Sequence, residues 1–168
     1  MQESFERVLE AIRDAWPGLE CWHQSSGGCV GATFSLAFGA RIPRKYPVTN
    51  PCETDEFRQN TGEVNLLVWC TWRLDSPQTS LASSDEMDEC IGSALQALIG
   101  AKVTAVSIEL PAWDLAVKFS NDQTLKVFCD HLPGDPSFDG NWEIDLPDLA
   151  YYFGPGGAME VQERSDLS

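Results

Sequence analysis

The sequence predicts an α+β fold, a mainly antiparallel sheet with two principal helices packed on it in a single domain. Three observations predict it: helical periodicity near the N terminus and again after residue 83, apolar alternation over 29–42 and 63–74, and a run of short alternating segments beyond residue 102. Helices and strands segregated along the chain in this way favour helices laid on an antiparallel sheet over alternating βαβ units. The 168 residues suit one domain, and a 43% hydrophobic content with eight Phe and six Trp is enough for a sizeable core.

The first helix follows from Phe5, Val8, Leu9, Ile12 and Trp16, which recur at helical spacing before Pro17-Gly18 stops it. Val30, Ala32, Phe34, Leu36, Phe38, Ala40 and Ile42 point one way in a strand ended by Pro43, with Gly31 and Gly39 marking a bulge or a close neighbour. Three prolines make 43–61 an irregular loop, mobile or functional, and it holds Arg41, Arg44 and Lys45 at or beside it. Residues 63–74 read as one strand. Val64, Leu66, Val68, Cys70, Trp72 and Leu74 share a face, and Leu67 and Trp69 make the other face apolar too, as in a central strand.

Ser83 and Glu86 have the spacing of a capping box for the second helix. Its buried stripe is expected to be Met87, Cys90, Ile91, Ala94, Leu95, Leu98 and Ile99, stopped by Gly100. The last third reads as a meander: a strand over 102–110, one carrying Trp113 to Phe119, an Asn121-Asp122 turn, a return with Leu125, Val127 and Cys129, and a short strand with Trp142, Ile144 and Leu146. The domain is expected to span 1–153, with 154–168 as a flexible tail.

Charge narrows the function classes. Acids outnumber bases 26 to 11, for a formal net charge of −15. Such a surface repels nucleic-acid phosphates and anionic membranes and attracts a basic protein. Glu3, Glu6, Glu10 and Asp14 spoil any export signal over 1–16. The expectation is therefore a cytoplasmic protein whose six cysteines are reduced, with Cys70 and Cys90 on apolar faces.

No chemistry-bearing constellation stands out. Cys21, His23, Cys29 and Cys52 match no zinc spacing. Cys129-Asp130-His131 places a thiol beside an imidazole, but Cys129 continues the apolar face of Leu125 and Val127, which favours a structural thiol. Asp130, Asp135 and Asp139 lack the ligand order of a calcium loop. Arg73 is expected to pair with an acid or stack on Trp69, and Asp114 to pair with Lys118 or Arg73. Neither a cofactor nor a metal is expected.

A layout of core and turn residues runs from Gly62 to Glu143: Cys70-Thr71-Trp72-Arg73-Leu74, Ser83-Ser84-Asp85, Leu98-Ile99-Gly100, Asp114-Leu115 with Phe119, Leu125 to Phe128, and Trp142-Glu143. It resembles small bacterial proteins often grouped with polymorphic-toxin immunity proteins, and about half of the chain is covered. The resemblance implies a non-catalytic inhibitor and carries over no catalytic residue. Residues 1–61 fall outside it, and their proline loop is expected to set the partner.

Together with the charge, this points to a protein that neutralises a cognate, basic toxin by direct binding. The expected contacts are Asp85, Glu86, Asp88, Glu89, Asp130, Asp135 and Asp139. Two rival expectations are a homodimeric structural module, from the spare apolar residues of 63–74, and a small hydrolase dependent on Cys129, His131 or the acids.

Overall fold

The computed structural model describes residues 4–26, 32–134 and 140–167. Among these, the chain is α+β, with three α-helices and eleven strands in two antiparallel sheets. Helix α1 (Phe5–Ala15) begins where the Arg7 N–H donates to the Ser4 hydroxyl at 3.4 Å, and it buries Val8 and Ile12. Gly18 follows it at φ +90, a left-handed conformation that suits glycine.

The first sheet has the order β1-β2-β3-β9-β10-β11, from β1 (Cys21–Ser26), β2 (Phe34–Pro43), β3 (Asn60–Val68), β9 (Trp142–Asp145), β10 (Leu149–Phe153) and β11 (Met159–Glu163). The second has the order β5-β4-β8-β7-β6, from β4 (Thr71–Asp75), β5 (Ser80–Ser83), β6 (Val103–Glu109), β7 (Asp114–Phe119) and β8 (Thr124–Phe128). An antiparallel bridge between Glu20 and Lys102 ties the start of the first sheet to the second. The core lies between them. Phe34 meets Trp72 edge-on at 4.9 Å, Trp113 meets Phe153 at 5.0 Å, and Trp16 packs on Phe38 at 5.3 Å.

Several elements differ from the sequence reading. The apolar run 63–74 is two strands in different sheets. It breaks because the N–H groups of Trp69 and Cys70 both donate to the Asn141 carbonyl, at 2.9 and 3.2 Å, instead of continuing one ladder. β3 is central in its sheet, as double-sided apolarity implies. The alternation of β2 breaks at Gly39 (φ +75), where the register shifts between Phe38 and Arg41; Ala40 is consequently exposed rather than inward. A Cβ at Gly39 would lie within 2.6 Å of three Glu63 side-chain atoms, and the Ala40 N–H donates to that carboxylate at 2.8 Å. The run over 29–31 lies outside the described residues.

The capping box at Ser83 does not form. Ser83 ends β5, its hydroxyl accepts from the Asp85 N–H, and α3 (Asp88–Gln96) starts later, after Met87. Ile91, Leu95 and, just past the helix, Leu98 are buried as expected, while Met87, now ahead of the helix, and Cys90 are exposed. Gly100 at φ +89 closes the following turns, and its N–H donates to the Cys21 carbonyl at 2.8 Å. α3 packs against β1 and β5, and α1 against β6.

The segment expected as a tail is part of the fold. β10 and β11 pair from Leu149–Glu163 to Phe153–Met159, and Arg164 beyond them is 4% exposed. Its guanidinium donates to the Glu63, Gly62 and Leu146 carbonyls and the Thr61 hydroxyl, and forks onto Asp166 at 2.8 and 3.0 Å.

The proline loop is also organised. It contains α2 (Asp55–Gln59), capped by Thr54, whose hydroxyl accepts from the Phe57 N–H. Phe57 stacks on His23 at 4.0 Å, and the Glu53 carboxylate bridges His23 Nε2 and the Ser25 hydroxyl. Arg44 lies over the Phe57 ring and donates to two carbonyls, while Arg41 lies over Trp22 and pairs with Glu56. Cys52 is disulfide-bonded, which corrects the expectation of six reduced thiols; Cys21, Cys70, Cys90 and Cys129 are free.

Candidate functional site

The antiparallel register brings together side chains that are distant in sequence. Directly opposed residues share a face. One row on the first sheet therefore runs Ser25, Ser35, Leu67, Glu143, Tyr152, Glu160, and the next runs His23, Ala37, Asn65, Asp145, Ala150, Gln162. This is the face turned away from the second sheet, because Leu66, Ile144 and Tyr151 alternate with these residues and are buried in the core. The proline loop covers the β1 side through Glu53 and Phe57. The β9–β11 side is open.

A cleft of about 740 Å³ opens there, within the size range of small-ligand and side-chain sites. Trp69 comes from the crossover between sheets, Glu143 from β9, Tyr152 and Phe153 from β10, and Met159 and Glu160 from β11. Trp69 is 40% exposed, unusual for an indole in a core-forming segment. A Cβ on Gly140 would meet its six-membered ring at 3.5 and 3.6 Å, so the ring rests against bare backbone.

Glu143 sets the electrostatics. No hydrogen bond or ion pair reaches its carboxyl among the described residues. Burial, and then repulsion from Asp145 two residues along the same strand, push it up to about 7. The Asp145 carboxyl is raised by the same two kinds of cause, burial first and then Asp166, against the attraction of Arg164 and a hydrogen bond from Asn65. The Tyr152 hydroxyl is raised by burial and then by the field of Glu143, Asp145, Glu160 and Asp166. The cleft is thus aromatic on one side and lined by the Glu143 and Glu160 carboxyls on the other.

This has a consequence for stability. The folded-state value of Glu143 lies above the ordinary 4.5. Its contribution is fully present below pH 4.5 and is lost as pH rises through about 7. Glu143→Gln is therefore expected to stabilise the protein by about 1 kcal/mol at pH 8.5, after allowance for the half-open position of the group, and to change nothing at pH 4. Urea unfolding at the two pH values checks this; equal effects at both would show that the carboxyl is solvated.

The residues singled out from sequence are distributed differently. Asp85, Glu86, Asp88 and Glu89 are all exposed, around the start of α3. Asp130 lies at the end of β8, where its carboxylate accepts from both the N–H and the hydroxyl of Thr71. The Ser84 N–H donates to the Trp72 carbonyl, which brings the chain before Asp85 to the same end of β4. Asp130 and Asp85 thus approach one end of the second sheet, while Asp135 and Asp139 lie outside the described residues. The cleft carboxylates were not among the candidates. The one signal for them was Trp69, an aromatic out of phase with the core face of its run.

Other candidate chemistry resolves locally. Cys129 donates to the Trp113 carbonyl, and His131 Nδ1 lies 2.8 Å from the Gly140 carbonyl, so it donates there. The Cys70 thiol lies against Cys129, a contact that with burial pushes it far up. Arg73 forks onto Asp75 at 2.8 and 3.1 Å and stands over Phe128, not Trp69. Asp114 accepts the Cys129 N–H at 2.7 Å; the expected pairing with Lys118 or Arg73 is absent. Among the described residues no three His, Cys, Asp or Glu converge as metal ligands, and no helix is long and apolar enough to cross a membrane. No family model, no curated protein and no solved structure matches the chain.

Proposed function

We propose that this chain is a binding and inhibitor protein of the immunity type, which neutralises a basic toxin by direct contact through its acidic surface. The observation that carries the reading is the state of Asp85, Glu86, Asp88 and Glu89. All four are exposed, and none has an ion-pair partner among the described residues. The described ion pairs lie elsewhere, on Glu53, Glu56, Asp55, Asp75 and Asp166. A patch of uncompensated carboxylates on a chain of net charge −15 steers a cationic surface and speeds its association. Asp130 has a secondary part, because its carboxylate is already engaged by Thr71.

The test is capture of the partner from native lysate at low and high salt, followed by association kinetics. A basic protein held at low salt and released at high salt, with inhibition of its activity on binding, is the expected result. Reversing all four acids to Lys is expected to slow association about 10–100-fold and to flatten its salt dependence. Unchanged association and neutralisation would overturn the charge mechanism. Asp88 and Glu89 stand in the first turn of α3, so reversal there also costs about 0.3–1 kcal/mol each in helix stability. A thermal melt of the variant separates that loss from lost binding.

A further inference from the structure

We propose that the cleft beside Trp69 receives the guanidinium of an arginine side chain from a protein partner. The proposal goes beyond the inhibitor reading and shares with it only the basic character of the partner.

Among the described residues Glu143 has no counter-charge, and no lysine or arginine lines the cleft. Five of the seven arginines are committed elsewhere: Arg41 to Glu56 and Trp22, Arg44 to Phe57, Arg58 to Asp55, Arg73 to Asp75, and Arg164 to Asp166. Arg7 and Arg13 lie on α1 and do not line the cleft. A half-buried carboxyl that meets no cation from its own chain either keeps its proton or takes a cation from outside.

The geometry then selects among cations. The opposed register of Glu143, Tyr152 and Glu160 spaces two carboxylates across one intervening strand, with a phenol between them. The Trp69 indole, backed by Gly140, forms the adjoining wall. A planar guanidinium stacks on an indole face and at the same time directs forked N–H donors to carboxylates; an ammonium offers neither the plane nor the fork. Pro155, Ala158 and Met159 line the rest and suit the methylene stem of the side chain.

Protons enter as well. Glu143 is faced by Asp145 on its own strand, by Tyr152 on β10, by Glu160 on β11, and by Leu67 on β3. These ionisable neighbours are acidic, so below about pH 7 the carboxyl holds its proton until a cation arrives. Binding is then expected to release a proton and to tighten from pH 6 to pH 8.

The experiment titrates N-acetyl-arginine methylamide into the full chain and follows the Trp69 indole N–H by NMR. N-acetyl-citrulline methylamide is the neutral isostere, and free L-arginine is the small-molecule arm. Saturable binding of the blocked arginine is expected, at least about tenfold tighter than the citrulline compound. The Glu143→Gln, Glu160→Gln double variant is expected to weaken it about tenfold, and Glu143→Gln alone to remove its pH dependence. Trp69→Leu, read by calorimetry, is expected to weaken it several-fold. No saturable shift, or equal binding of the citrulline compound, overturns the proposal. Free arginine binding much more tightly than the blocked residue overturns the protein-borne source. If the blocked arginine binds but no basic partner is ever recovered, the cleft assignment stands and the inhibitor reading falls. If a basic inhibited partner is recovered and the cleft variants bind it as the wild type does, the inhibitor reading stands and the cleft assignment falls.

Discussion

Arg164→Ala is expected to cost about 3–5 kcal/mol, a large share of the roughly 5–15 kcal/mol that holds a domain of this size. The guanidinium is 4% exposed and reaches across more than 100 residues of sequence to the Thr61 hydroxyl and the Gly62 and Glu63 carbonyls. Removing it takes the charged donor from the Glu63 and Leu146 carbonyls, leaves the Thr61 hydroxyl and Gly62 carbonyl with only the Asn65 amide, and leaves Asp166 half-buried without its counter-ion. Asp166→Asn is expected to cost much less, about 1–2 kcal/mol, because the carbonyls remain satisfied. The Asp166 carboxyl also gives a pH signature. Burial pushes it up, but the Arg164 and Thr61 hydrogen bonds and the nearby positive charges outweigh this and hold it below its ordinary 3.8. Its contribution is therefore present above pH 3.8 and is lost as pH falls through the lower folded value. Urea denaturation of both variants checks the ranking. A loss below about 1 kcal/mol for Arg164→Ala would mean that the C-terminal segment is an appendage after all.

Trp142→Ala is expected to cost a similar amount, about 3–5 kcal/mol. The indole is fully buried, stacks on Phe153 at 4.0 Å, and donates its N–H to the Trp113 carbonyl at 2.9 Å. It joins the sheets directly, since Trp142 belongs to β9 of the first and Trp113 immediately precedes β7 of the second. The same carbonyl accepts from the Cys129 thiol, so the truncation leaves a cavity and unsettles a shared acceptor. Trp142→Phe keeps an aromatic stack and loses the hydrogen bond and part of the volume, for about 1–2 kcal/mol. Chemical unfolding followed by two probes tests both variants. A simple two-state loss for Trp142→Ala is expected; near-neutral behaviour would show that the sheets are held together elsewhere.

The legible parts of the fold were those with one strong local signal. Val8, Ile12 and Trp16 at helical spacing marked α1, and Pro17-Gly18 its end. Trp113, Leu115, Val117 and Phe119 marked the inward face of β7, and all four are buried. Other elements were illegible for physical reasons. β1 reads Cys-Trp-His-Gln-Ser-Ser, with no apolar alternation, because its outward residues bind Glu53 and Phe57 from the loop rather than facing water. β11 reads Met-Glu-Val-Gln-Glu, the polar composition of an edge strand exposed along one side, which resembles a tail. The capping box failed because Ser83 and Ser84 are drawn into pairing with β4, a competing use of the same backbone.

Chain composition and local pattern were sufficient for the α+β class, the antiparallel meander, most of the buried aromatic set and the dominance of negative charge, because burial periodicity and net charge are properties of short windows and of totals. The division of 63–74 between two sheets, the docking of the last strand and Arg164, and the meeting of Trp69 with Glu143, Tyr152 and Glu160 came from folding alone. The division and the placing of Trp69 depend on the Asn141 carbonyl, which takes two N–H groups at once, and the docking of the last strand on its register with β10. Pairings between residues some 75 to 100 positions apart leave no periodicity in any local window, so only long-range pairing places an unpartnered carboxyl and an exposed indole in one cleft.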